Sequence, residues 1–258
     1  MTQESVNRTS PIAWKADFLL PIMTLGLLLG IWELVVRLFA IPEFILPAPT
    51  AILAQIPQWG YTVVKNAGIT LSTTLAGFAI ALILGIVLGF MIGYSKLANL
   101  TLYPLLVAFN TIPKVALVPL LSLWFGIGAV PAIITAFMLA FFPMAVNVAT
   151  GLRTVDAEMH EVLLALGATR FEMFQKVGFP HTLPYLFASL KVAISQAFIG
   201  SVIAETVASE GGIGYVILSA SSNFNVSLAF LALLTLAAMG ITLYGIFAWL
   251  EKRLVYWL

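Results

Sequence analysis

Lys114, Lys191 and Glu205 are ionisable side chains set inside long apolar runs of a 258-residue chain. A charge placed in lipid is costly unless it is paired or faces a polar cavity, so such residues mark either a solute path or a contact between helices. Lys114 stands between Pro113 and Pro119. Helix breakers so close together free backbone groups that a hydrated cavity can satisfy, and a cation there suits an anionic solute. The plainer alternative is that Lys114 pairs with an acid or snorkels. Asn110, Asn147, Gln196 and Glu205 carry the same two readings, path or interhelical hydrogen bonding. Covalent chemistry has little to build on. The chain has no Cys and two His, His160 and His181. No metal site and no catalytic residue is expected, which argues against a membrane enzyme. A Gly-x-x-x-x-Gly-Lys phosphate loop is absent, and the Gly211-Gly212-Ile213-Gly214 stretch has no Lys to complete one.

The elements that position these residues are membrane spans. Hydrophobic residues make up 61% of the chain and charged residues 9%, far from the roughly 25% charge of soluble domains. The net charge of +1 gives no basic excess that would point to nucleic acid. Apolar runs of span length predict an all-α polytopic membrane protein with about six transmembrane helices. The expected spans are Phe18–Phe39, Thr70–Tyr94, Leu100–Phe125, Pro131–Thr150, Thr182–Glu205 and Ser227–Leu250. The first run is preceded by Arg8 and Lys15, as in a signal peptide, but it is long enough to cross a bilayer and is read as a retained span. Glu33 and Arg37, four apart, can pair on one face of it. Residues 47–67, with three Pro and a Trp-Gly-Tyr cluster, read as an interfacial segment. In the second span Gly77, Ala81, Gly85, Gly89 and Gly93 form a small-residue ridge for close helix packing. The same ridge could also mark a place where helices move.

Orientation follows from Lys and Arg. With the N-terminus inside, inner segments hold Arg8, Lys15, Lys96, Arg153, Arg170, Lys176, Lys252 and Arg253. Outer segments hold Lys65, with Arg37 near a span end, so both termini are expected in the cytoplasm. The chain then divides into a cytoplasmic segment (1–17), a first span with its interfacial segment (18–69), a five-span core (70–250) and a cytoplasmic tail (251–258).

Within the core, residues 151–180 form a polar insert. Val155, Met159, Val162, Leu163 and Leu166 make a helical stripe, Thr154 can cap it, and Gly167 can end it in the left-handed conformation. Thr169-Arg170-Phe171-Glu172 fits a capping box for a second short helix, which Gly178 and Pro180 should stop. The predicted product is a hairpin of two short helices. Four acids against two bases between Thr154 and Pro180 exclude a DNA-binding helix-turn-helix. Phe171 and Phe174, exposed on an insert, favour docking over an idle connection.

Glu161-Val162-Leu163, three residues, Gly167, nine residues, then Val177-Gly178-Phe179-Pro180 resembles the "EAA" signature of permeases of bacterial ATP-binding-cassette importers. That pattern is Glu-Ala-Ala, three residues, Gly, nine residues, Ile-x-Leu-Pro. Glu161, Gly167 and Pro180 match it, while Val162, Leu163 and Phe179 are apolar replacements. Pro113–Leu120 running into Trp124–Gly128, and Ala204-Glu205-Thr206 continuing to Gly211–Tyr215, resemble the nitrate/sulfonate/taurine type. The resemblance spans roughly residues 20–255.

It implies an inner-membrane permease with no cofactor of its own, ATP and Mg being bound by a partner ATPase dimer. It implies a second permease copy, identical or paralogous, and an extracytoplasmic substrate-binding protein. Glu161, Gly167, Ala168, Thr169, Arg170, Phe171 and Pro180 would form the ATPase-coupling element. Gly211, Gly212 and Gly214 would belong to an outer gate. The cargo implied is a small anionic solute, with thiamine-pyrimidine precursors, riboflavin or aromatic acids as alternatives. A stand-alone secondary transporter would call for two related halves, and no internal repeat is evident.

Overall fold

The structure, a computed structural model, describes residues 11–154 and 165–255. Among them every regular element is helical. Four helices are long and apolar enough to cross a membrane: α3 (Ile56–Tyr94), α6 (Ala129–Arg153), α8 (Phe179–Ala208) and α10 (Val226–Leu254). The bent pair formed by α4 (Lys96–Thr111) with a 3-10 turn (Lys114–Leu117) and α5 (Val118–Phe125) makes a fifth if it counts as one broken span. The first expected span coincides with α1, a 28-residue helix over Pro11–Leu38. Short elements complete the chain: α2 (Pro49–Leu53), α7 (Arg170–Met173) with a π turn (Phe174–Gly178), and α9 (Ile213–Ser222).

Three expectations change. Residues 47–67 are not an interfacial segment throughout. α3 starts at Ile56, eleven residues before Ala67 closes that segment, with Pro57 suited to its first turn, and it is 39 residues long in all. Gly60 and Gly68 do not interrupt it, since a lone Gly costs only about 1 kcal/mol against the packing of a long helix. The third expected span is broken instead of continuous, its halves bent by 74°. Pro113 is the cause: it forces Ile112 into extended backbone, at φ −66° and ψ 129°, and ends α4. Finally, α9 is a 10-residue apolar helix that the hydropathy pattern left as a connection.

The core is where α3, α6 and α8 meet. Ala81, Ala136, Ala140, Met144, Ala193, Ile194 and Ala197 have no exposed surface there. The small-residue ridge of α3 packs on α6 along its length. A Cβ built at Gly77 would stand 2.5 Å from Ala136 Cβ and 2.6 Å from Ile133 O, and one at Gly89 2.7 Å from Val148 Cβ. Gly200 of α8 makes the same kind of approach to Thr135 O, at 2.8 Å. With no hydrophobic drive between helices in lipid, this backbone-to-backbone closeness is what gives van der Waals contact its area. A second cluster joins α2, the start of α3, α9 and α10 through Ile52, Val63, Ile213, Val216 and Leu228.

α1 is fastened at its end. Arg37 pairs with Glu33 as the four-residue spacing predicts. Glu33 also accepts from the Thr50 backbone N–H (3.1 Å) and hydroxyl (2.8 Å), tying α1 to α2.

Candidate functional site

The predicted hairpin leaves α6 at Arg153 and Thr154. Arg153 donates to Asn99 Oδ1 (2.7 Å), which ties the α3–α4 corner to the end of α6. The turn that Thr154 is expected to cap lies outside the described residues. The Thr154 hydroxyl donates back to Thr150 O (3.0 Å) and lies 3.3 Å from His181 Nε2, joining the two roots of the hairpin. Glu161, with Val155, Met159, Val162 and Leu163 of the apolar stripe, lies outside the described residues.

The turn is described. Gly167 has φ +79°, the left-handed conformation expected of it, and no neighbour lies within 4 Å of a Cβ built there. Conformation alone therefore demands the glycine. Ala168 and Thr169 follow, and the capping box closes: the Glu172 N–H donates to Thr169 Oγ1 (3.3 Å), while Glu172 Oε2 accepts from the Thr169 N–H and hydroxyl (2.8 Å each). The Thr169 backbone bond, then its hydroxyl, holds the Glu172 carboxyl below the ordinary carboxylate range. The side chains of Arg170 and Phe171 lie outside the described part.

Gly178 and Pro180 do not stop this helix. After α7 the backbone passes through the π turn and straight into α8, with Gly178 at helical φ −60° and ψ −49° and Pro180 in the first turn of α8. Pro180 has no N–H to bond back into the π turn, but its fixed φ of about −65° suits the helix that follows. The second arm of the predicted hairpin is thus continuous in its backbone with a 30-residue crossing helix. A small apolar cavity of about 90 Å³ lies at that root, between Ile86 and Phe90 of α3, Val148 of α6 and Phe179 of α8.

Of the path candidates, Lys114 and Asn110 meet, while Asn147 and Glu205 bond elsewhere. Lys114 is buried at the bend after α4, 7% exposed, and its Nζ donates to Asn110 O (3.1 Å) and Asn110 Oδ1 (2.8 Å). No acid partners it among the described residues. Asn147 donates its side-chain amide back to Pro143 O (2.8 Å), one turn earlier in its own helix. Gln196 is half-buried on α8. Lys191 is paired with Glu251 of α10 at 2.6 Å, so it is a bond between helices and not a path charge.

Glu205 belongs elsewhere, with the glycines of the expected gate. Its carboxylate is 1% exposed and accepts from Thr70 Oγ1 (2.8 Å) and the Gly214 N–H (3.1 Å), with the Thr73 and Ser201 hydroxyls each at 3.4 Å. Gly212 has φ +95°, and a Cβ there would lie 2.2 Å from Glu205 Cδ. Sequence reading missed Asn66, Thr70, Thr73 and Ser201. The one signal available was the polar register of Asn66, Thr70 and Thr73 in an otherwise apolar helix.

Residues 81–256 match the family described as the binding-protein-dependent transport system inner membrane component. The chain belongs to this family. The permease is 36% identical to the riboflavin transport system permease protein of Chloroflexus aurantiacus, over 91% of this chain and 88% of that one. It is 29% identical to the putative aliphatic sulfonates transport permease protein of Bacillus subtilis, over 95% of this chain and 88% of that one. It also aligns with a chain of the inward-facing MetNI methionine ABC transporter at TM-score 0.62 and 20% identity, covering 77% of this permease and 96% of that chain. At that identity the last match speaks for the fold.

Proposed function

We propose that this permease forms part of a path carrying a small anionic solute across the bacterial inner membrane, driven by a separate ATP-binding-cassette ATPase dimer that docks on the 151–180 hairpin. ATP and Mg are bound by that partner, since the chain lacks a phosphate loop. The observation that carries the reading is the sequence of a left-handed Gly167, a closed Thr169–Glu172 capping box and an unbroken entry into α8. Such an element passes a push at its tip to a crossing helix without a flexible joint, the requirement for rigid-body alternating access. Glu161, Gly167, Ala168, Thr169, Arg170, Phe171 and Pro180 are the coupling residues in this reading.

Lys114 and Asn110 at the break in the third span are the groups offered to an anion, because Lys114 is a buried cation whose hydrogen bonds, among the described residues, go to Asn110 of the preceding helix and to no acid. The distribution of basic residues supports cytoplasmic termini and an outer position for the Gly211–Gly214 turn, where in this reading a substrate-binding protein delivers cargo. Exposed apolar side chains at the end of the broken span, Leu123 (79%), Trp124 (66%) and Ile127 (68%), suit lipid and a second permease copy.

The test is ATPase capture. Gly167→Asp, which puts a side chain on a left-handed backbone, and Glu161→Lys should both abolish co-purification of the ATPase from membranes while the permease still inserts. Normal co-purification from both variants would sink the docking proposal.

A further inference from the structure

The start of α9 is built in an unusual way. Its cap position is Gly212, which has no side chain to offer the free N–H groups of the first turn. Three successive N–H groups are satisfied by other helices instead. Gly212 donates to Asn66 Oδ1 (2.8 Å), Ile213 to Thr70 Oγ1 (2.8 Å) and Gly214 to Glu205 Oε2 (3.1 Å). Thr70 in turn donates to the same Glu205 oxygen, and Thr73 and Ser201 meet across the α3–α8 contact at 2.6 Å. Glu205 therefore touches all three parties: α3 through Thr70 and Thr73, its own α8 through Ser201, and α9 through Gly214. No room is left beside it, because Gly212 packs its bare Cα against the carboxylate and Gly214 faces Glu205 Cβ.

We propose that Glu205 is a positioning residue that locks the α8–α9 corner to α3, so that the Ser209–Gly214 turn moves with α8 as one body and not as a loose loop. Glu205 does this by hydrogen-bond geometry and touches no cargo. The inference rests on the reading above, in which the far end of α8 is driven from the coupling hairpin. Without the lock, a push on α8 would be spent in the connection. With it, 30 residues of helix deliver the push to the turn.

Glutamine can keep the arrangement. Its carbonyl oxygen can accept from Gly214 and Thr70, and its amide can face the Thr73 and Ser201 hydroxyls, which rotate to accept. Alanine removes every bond.

The test uses the permease assembled with its ATPase in native membranes. The chain has no native Cys, so Glu210→Cys, at an exposed residue of the turn, is a single reporter for a membrane-impermeant maleimide. Labelling is measured without nucleotide and after vanadate trapping. The reporter alone should change its rate between the two states by about tenfold, an ordinary coupling between distant sites. Adding Glu205→Ala should bring the two rates together while ATP hydrolysis persists, and adding Glu205→Gln should restore the difference. Unchanged state dependence in Glu205→Ala overturns the lock, as does a Glu205→Gln chain no better than Glu205→Ala. Should Glu205→Ala fail to assemble, Glu205→Gln decides: retained state dependence supports the lock and lost state dependence overturns it.

A flat reporter in the parent chain, with hydrolysis intact, would remove the gate reading and not the lock. The lock is then read at Val216→Cys, a buried α9 position. There Glu205→Ala must speed labelling about tenfold over the parent and Glu205→Gln must not; equal rates in all three overturn it.

Discussion

At the scale of single residues, local chemistry was legible and distant chemistry was not. The Thr169–Glu172 cap could be read because its partners are three residues apart and the motif has its own spacing. The Glu205 hub could not, because Thr70 lies 135 residues away and hydrogen bonds of that separation leave no periodic trace. Thr169→Ala should cost about 1 kcal/mol of local stability, seen as faster amide hydrogen exchange at Glu172 and Met173. The carboxyl of Glu172 is lowered from its ordinary 4.5, so its contribution is complete above that value and is lost as pH falls through the lower folded one. Protection of the hairpin, corrected for intrinsic exchange, should therefore hold from neutral pH down to mild acid and fall only below the ordinary carboxylate range. Protection that falls already near pH 6 would contradict this. Lys114→Gln keeps a hydrogen-bonding head and removes the charge. It should depress uptake of whatever the cognate binding protein carries at least severalfold, with ATPase co-purification unchanged; undiminished uptake would remove Lys114 from the path.

At the scale of elements, apolar length revealed where helices are but not where one backbone ends. Pro113 and Pro119 were visible as breakers, yet a hydropathy run counts through them, and the 74° bend is a matter of backbone angles at Ile112. The opposite error occurred at Gly178 and Pro180, residues that stop a helix from within but are harmless where a π turn hands over to a first turn. The α3 ridge was legible, and its partner was not. It provides a paired test, since one substitution should have opposite signs at two sites. Gly77→Ala drives a methyl against the Ile133 carbonyl and Ala136 and should cost about 1–3 kcal/mol. Gly68→Ala meets nothing within 4 Å and should be neutral or stabilise by about 0.5 kcal/mol. Thermal melts of the solubilised protein separate the two, and equal shifts would mean that the α3–α6 contact is loose.

At the scale of the whole molecule, the sequence pattern reached the all-α membrane class and the family, while the packing order of the helices came only from the structure. Orientation is a molecular property, and it is checked by fusion. A fluorescent protein joined after Leu258 should glow, and an alkaline phosphatase joined there should be inactive, because both termini are assigned to the cytoplasm. The converse result would invert the assignment of hairpin and turn together. The length of α3 also has a bearing on the height of the polar corner. A hydrocarbon layer about 30 Å thick, crossed at a tilt of about 20°, uses roughly 21 residues of helix. α3 has 39. With Tyr94 at the headgroup level, as aromatic belt residues are, counting back roughly 21 residues arrives near Thr73. The helix is a ruler, and it puts the Glu205 carboxylate at the rim of the oil and not in its middle. The first turns of α3, with α2 and α9 packed near them, then stand clear of the lipid, on the side where the proposed orientation brings a soluble carrier.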